Sequence, residues 1–276
     1  MKLKFNLKKI ISKYAPGIIS GAADNDPSGI ATYSLSGARF GYGQNFLMIL
    51  ATPMLISVQA MAGRIGGVKG KGLTLVLREV LPKPLVAFML LGLVVANVFT
   101  LGADVAAMGA AVDLIIPFNP IFWSIIFCLL AWYLVLFKSF KDLQKYFLWL
   151  VLFFLSYIPA AKLSKPDWGE VLKNSILPQI NLSSGFFVSA LAVMGTTITP
   201  YLFFWQAKEE VEFHHGKKFS STFAKTEERN IAPGMIFSQV ITLFILTACG
   251  AVFFKNGVKD FSSAIDAARA LEPFAG

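Results

Sequence analysis

The sequence predicts an all-α fold, a polytopic bundle of about seven membrane-spanning helices, and three observations carry that prediction. Hydrophobic residues make up 55% of the 276 positions and charged residues only 15%, a balance outside the range of ordinary soluble domains. Several apolar windows reach about 20 residues, the length a helix needs to cross the hydrocarbon of a bilayer. Two of those windows, one around Asp26 and one around Thr199, are interrupted in mid-span by a polar stretch containing proline, a pattern that marks the binding site of many secondary transporters.

The first window runs from Ala15 to Gly37 and holds Asp24-Asn25-Asp26-Pro27-Ser28-Gly29 at its centre. Pro27 has no backbone N–H to donate, and Gly29 accepts almost any backbone dihedral. An acid such as Asp26 is costly at bilayer depth unless the helix opens around a polar cavity. The segment therefore reads as two half-helices meeting at a site, against the plainer alternative of an interfacial helix followed by a polar turn. Ile18, Ile19, Ile30, Ala31 and Tyr33 on either side favour the broken span.

The second span, Asn45 to about Ala62, contains Pro53 and Gln59 and predicts a kink. Gly63 to Pro84 is basic and glycine-rich and reads as a connecting loop. The third span, about Leu85 to Ile116, carries Asn97, Asp104 and Asp113. Asp104 lies among Gly102, Ala103, Ala106, Ala107 and Gly109, a small-residue face suited to close helix contact. An acid there needs a partner or a water path and is a candidate functional residue, a structural hydrogen bond being the alternative. Asp113, near Pro117, reads as interfacial.

Spans four (about Ile121 to Phe137) and five (about Tyr146 to Ala161) are joined by the short turn Lys138 to Lys145, and their aromatic residues read as lipid contact and interfacial belts. A polar linker follows from Lys162 to Ser184. The sixth span, about Gly185 to Ala207, supplies the partner break: Gly195, Thr196, Thr197, Thr199 and Pro200. Any one threonine here can equally bond back to its own helix. Span seven is about Ile231 to Phe254, and the tail after it predicts a short external helix.

Charge sets the expected orientation. With these spans, 18 of the 25 Lys and Arg residues fall on the side of the N-terminus and 7 on the other, which predicts a cytoplasmic N-terminus and makes a nucleic-acid partner unnecessary despite the net charge of +9. The basic lead MKLKFNLKKIISK lacks the long apolar core and small-residue cleavage site of a signal peptide. Cys128 and Cys249 sit in apolar runs and give no disulfide framework. His214 and His215, with Glu209, Glu210 and Glu212, lack a shared ligand spacing and read as a solvated loop. No nucleophile–base pair or phosphate loop is present, so an enzyme is a poor fit and no cofactor is expected.

The two interrupted stretches resemble those of the natural-resistance-associated macrophage protein (Nramp) family of divalent-metal transporters, and the likeness spans essentially the whole chain. That family carries Asp-Pro-Gly-Asn in its first span and Ala-x-x-Met-Pro-His in its sixth. Here the stretches read Asp26-Pro27-Ser28-Gly29 and Thr196-Thr197-Ile198-Thr199-Pro200-Tyr201. The resemblance implies a metal site of Asp26 as carboxylate, Thr196 as a carbonyl donor, Gly29 in the place of the asparagine, where no side-chain oxygen remains, and Thr199 in the place of the methionine. It implies a proton or water pathway through Asp104, with Tyr201 and Gln206 where the family has histidines. Asp24 is expected to add attraction for a cation without ligating it and to belong to the same proton or water pathway. Replacing a thioether by a hydroxyl shifts the donor set towards hard ions, so the pattern is similar to Nramp-related magnesium transporters, with manganese and iron as alternatives.

The family implies the leucine-transporter fold, two inverted five-helix repeats. On that pattern residues 1–276 form a single transporter domain, with a first repeat over about 15–161 and an incomplete second over about 185–276, so the chain is expected to be a fragment or a truncated product. The expected function is a secondary transporter that moves a divalent metal ion by alternating access across a bacterial-type plasma membrane, with protons as a candidate coupling partner. Two alternatives stand: an amino-acid or sodium symporter of the same fold, and a non-transporting membrane scaffold. An acid at the break favours a cation over an anionic group.

Overall fold

The computed structural model describes residues 17–138, 140–213 and 221–260. Among these the chain is a helical bundle: α1 (17–23), α2 (Pro27–Phe40), α3 (Phe46–Lys69), α4 (Leu73–Val80), α5 (Lys83–Ile115), α6 (Pro120–Phe137), α7 (Phe140–Phe154), α8 (Tyr157–Leu163), α9 (Trp168–Ile176), α10 (Ser184–Thr197), α11 (Pro200–Phe213) and α12 (Ser221–Cys249), which ends in a π-helical turn over Gly250–Phe254. The described residues include six stretches long and apolar enough to cross a membrane. The interrupted pair α1 and α2 makes the seventh predicted crossing, and the chain is a multi-pass integral membrane protein.

Proline places each interruption. Pro27 is the first residue of α2; it cannot donate to the carbonyl of Ala23, and its ring would collide with that oxygen in a continuous helix. Asn25 N–H turns back to Ala22 O at 3.1 Å, α1 ends, and the Asp26 side chain caps α2. At the second break α10 stops at Thr197, Ile198 leaves helical geometry (φ −107°, ψ 69°), and α11 starts at Pro200. Pro159 has the same effect inside the fifth span, which was expected to be one helix. Without a proline N–H for the Leu155 carbonyl, the chain divides into α7 and α8.

Four connections differ from expectation, helix replacing loop or turn. α7 already begins at Phe140 within the predicted Lys138–Lys145 turn, and α11 runs on to Phe213, so Glu209 and Glu210, read as part of a solvated loop, are helical and buried. The second span does not end at Ala62: α3 continues to Lys69, because Ile65 and Val68 prolong its apolar face, and it stops only where Gly70 takes a left-handed cap (φ 61°, ψ 24°). The rest of the predicted loop folds as α4, whose Glu79 receives Lys71 at 2.6 Å and Lys69 at 3.5 Å. The Lys71 ammonium holds the Glu79 carboxyl below its usual range. The linker before the sixth span contains α9, capped by Asp167, which accepts from Gly169 and Glu170 N–H. Asp113 accepts from Phe118 N–H at 2.9 Å and secures the α5–α6 turn, in keeping with an interfacial position. His214, His215 and the predicted helix of the tail lie outside the described residues.

The core lies where α2, α3, α10 and α12 meet, with Tyr33, Met48, Val193, Ile241, Ile245, Leu246 and Phe253 buried together. Cys249 is in this core and Cys128 is exposed, both as free thiols. The hairpin α5–α6 stands at the periphery with most of its apolar side chains outward, the surface a bilayer would solvate. The polar breaks sit between that periphery and the core.

Candidate functional site

Asp26 is held by both breaks. Its backbone is extended (φ −69°, ψ 164°), and Oδ1 accepts the Gly29 N–H at 2.6 Å and the Ser28 hydroxyl at 2.8 Å, the bonds of a helix N-cap. Oδ2 accepts from the Tyr201 hydroxyl at 3.0 Å, across from the start of α11. The next free donor of α2, Ser28 N–H, points to Asp104 Oδ1 at 3.4 Å. The first N–H groups of α2 therefore turn to carboxylates instead of back into α1.

Gly29 brings the breaks together. A Cβ at this position would lie 3.0 Å from Asp26 Oδ1 and 3.2 Å from Thr196 Oγ1, so a side chain would press on both. Pro200 has no N–H to offer the Thr196 carbonyl, the helical partner four residues earlier, which leaves that oxygen without its helical bond. Thr199 Oγ1, buried beside Tyr201, makes no hydrogen bond of ordinary geometry. Thr197 is occupied structurally: it donates to Val193 O at 2.8 Å and meets the Tyr33 hydroxyl at 3.2 Å, tying α10 to α2.

Two cavities meet at Asp26. One, of about 540 Å³, is lined by Asp26, Ser28, Gly195, Thr196, Thr199 and Tyr201, with Asn97 and Thr100 from α5. The other, of about 890 Å³, is lined by Asp26, Asn97, Asp104 and Tyr201, and extends past Ser20 to Gly72, Thr74 and Lys208. Met89 is the sulfur on the wall of the first cavity; at 1.5 Å rise per residue it stands roughly 12 Å along α5 from Asn97.

The predicted residues thus fall into two sets. Asp26, Gly29, Thr196, Thr199, Tyr201 and Asp104 gather around the breaks. Asp24 and Gln206 line neither cavity: Asp24 turns to α12, and Gln206 is buried with its amide directed to Glu210 at 3.4 Å. Ser28 and Asn97 were not singled out from sequence. Asn97 was legible in retrospect, because it lies seven residues, two helical turns, before Asp104 and so on the same face of α5.

An integral membrane bundle with two proline-interrupted helices facing each other across a carboxylate belongs to the class of leucine-transporter-like folds. The sequence model of the natural resistance-associated macrophage protein-like (Nramp) family matches residues 17–276, and the chain belongs to that family. The fold is similar to that of the Eremococcus coleocola manganese transporter solved with an aromatic bis-isothiourea substituted compound, with a TM-score of 0.77 and 19% identity over 99% of this chain and 61% of that one. A glutamate-to-glutamine mutant of the same transporter gives a TM-score of 0.71 at 19% identity, over 96% of this chain and 55% of that one. The chain therefore spans about three fifths of the length of the transporter that it matches.

Proposed function

We propose that this chain serves the passage of a divalent metal ion across the membrane, with the ion held where the two breaks meet. The observation that carries the reading is Asp26: a carboxylate anchored by the N-terminus of α2 and by Tyr201, facing a cavity that both breaks line. The donor set is Asp26, the Thr196 carbonyl and the Thr199 hydroxyl, all oxygen. Hard ligands in small number suit an ion that keeps part of its water shell, and Mg²⁺ fits this better than Fe²⁺, with Mn²⁺ between. An anionic substrate is disfavoured because the positive end of α2 is already taken by the Asp26 side chain.

In this reading the ion passes by alternating access, α1–α2 and α10–α11 rocking against the rest of the bundle. The larger cavity is its route on the side of the α3–α4 connection. Asp104 organises water along that route and is the candidate carrier of protons. The excess of basic residues on the N-terminal side supports a cytoplasmic position for that side, in a transporter of the plasma membrane. The test is metal uptake into proteoliposomes by the full chain. Asp26→Ala is expected to abolish uptake and to remove metal binding in a titration across Mg²⁺, Mn²⁺ and Fe²⁺; undiminished uptake by this variant would sink the assignment.

A further inference from the structure

Five polar side chains beside the two breaks are buried, each 2% exposed or less: Asn25, Tyr33, Thr197, Ser238 and Thr242. Of these only Asn25 lines either of the cavities that meet at Asp26. Asn25 directly precedes Asp26. Its Nδ2 donates to Ser238 Oγ at 3.0 Å and its Oδ1 accepts from the Thr242 hydroxyl at 2.9 Å, so two residues one turn apart on α12 grip the first break. Thr197 ends α10, at the second break. Its hydroxyl donates to Val193 O at 2.8 Å and meets the Tyr33 hydroxyl of α2 at 3.2 Å. The Tyr33 hydroxyl also interacts with that of Thr242. A file of polar groups thus runs from one break to the other, from Asn25 through Thr242 and Tyr33 to Thr197.

Tyr33 supplies the link at the centre of this file. A hydroxyl has one proton to give. Thr242 gives its proton to Asn25 and Thr197 gives its proton to Val193, so the Tyr33 proton is the one left to join the two ends. Packing does not ask for it. The ring stands in the apolar core with Met48, Val193 and Ile241, where phenylalanine would fill nearly the same space, and both threonines keep their other bonds without the phenol. What the phenol adds is the connection.

We infer that Tyr33 is a positioning residue for the ion: held to Thr197 on one side and, through Thr242, to Asn25 on the other, it sets the spacing of the two breaks. Thr196 and Thr199 lie one residue before and two residues after Thr197, so their oxygens are fixed relative to Asp26 before an ion arrives and need no ordering when it binds. For its effect on the ion the inference rests on the divalent-metal reading; the coupling of the breaks does not.

The experiment uses the full chain purified in detergent and follows amide hydrogen exchange across residues 22–29 and 194–201, with divalent metals removed by chelator. Tyr33→Phe is expected to speed exchange at both breaks by about tenfold and to leave α6 unchanged. Thr242→Val loses its bond to Asn25 at the first break, yet is expected to speed exchange at 194–201 as well, and to add nothing there in a Tyr33→Phe background; Thr242→Ser keeps the wild-type rates. In Mg²⁺ titrations Tyr33→Phe weakens affinity by about tenfold, and the further loss from Thr199→Ala is about fivefold smaller in Tyr33→Phe than in the wild-type chain. Wild-type exchange at either break in Tyr33→Phe, an effect of Thr242→Val confined to 22–29, or losses from Tyr33→Phe and Thr199→Ala that simply multiply overturns the inference. Should Thr242→Val fail to fold, the exchange of Tyr33→Phe decides alone. A wild-type chain that binds no divalent ion would overturn the divalent-metal reading, and the exchange comparison would still decide whether Tyr33 couples the breaks.

Discussion

On the proposed reading, ion choice is decided at the scale of a single residue, Thr199. Its hydroxyl is buried and lines the cavity beside Asp26 and Tyr201, where in that reading it ligates the ion and sets the hardness of the donor set. Thr199→Met is expected to move the preference towards Mn²⁺ and Fe²⁺ over Mg²⁺ by about tenfold, since a thioether is a poor ligand for a hard ion and a good one for a softer ion. Competition titrations check this, and an unchanged order of affinities would mean that Thr199 does not touch the metal. Tyr201 acts one step further out, through its bond to Asp26 Oδ2. Tyr201→Phe leaves the carboxylate in place but less firmly oriented and is expected to lower metal affinity by about tenfold; calorimetry reads the loss, and Asp26→Ala should hide it.

The element scale concerns helices that stop. Continuous hydrogen bonding would make α10 and α11 one rod, and Pro200 prevents it by denying the Thr196 carbonyl its partner. Pro200→Ala restores an N–H at that position. The variant is expected to bind metal about tenfold more weakly, because the carbonyl is drawn into a helix bond worth roughly 1 kcal/mol, and to melt at a higher temperature without metal. Scanning calorimetry with and without Mg²⁺ separates the two effects. These breaks were legible in the sequence because a proline beside polar residues in an apolar window admits few other structures. The seventh predicted crossing was legible for the same reason, although neither the described part of α1 nor α2 is long enough to span alone. The extension of α3 to Lys69 and the fold of α4 were not legible: glycines suggested a loop, while the Ile65 and Val68 face and the Glu79 pairing, set by tertiary position, decided for helix. The direction of Asp24 was hidden too. Two acids two residues apart look equivalent in a string, and only the close approach of Gly21 to Gly234 turns one of them towards α12.

At the scale of the whole molecule the question is which face of the membrane reaches Asp26. The larger cavity runs from Asp26 and Asn97 to Thr74 and Lys208, so the site opens towards the side that holds the α3–α4 connection, and the buried core of α2, α3, α10 and α12 closes the other side. Alternating access requires that this closure be exchanged for the opposite one as the broken helices rock, since a permanently one-sided cavity binds but does not transport. Cysteine labelling distinguishes the two in a background where Cys128 and Cys249 are replaced by serine. Thr74→Cys, at the outer end of the cavity, is expected to react with a membrane-impermeant thiol reagent from one face alone, the face of the N-terminus. Asn97→Cys, on the wall beside Asp26, is expected to react from both faces, faster from the N-terminal one, with saturating Mg²⁺ slowing the reaction. Reaction of Asn97→Cys from a single face under every condition would leave a binding protein in the membrane where a transporter is proposed, because the rocking motion would have no counterpart in the accessibility of its own site.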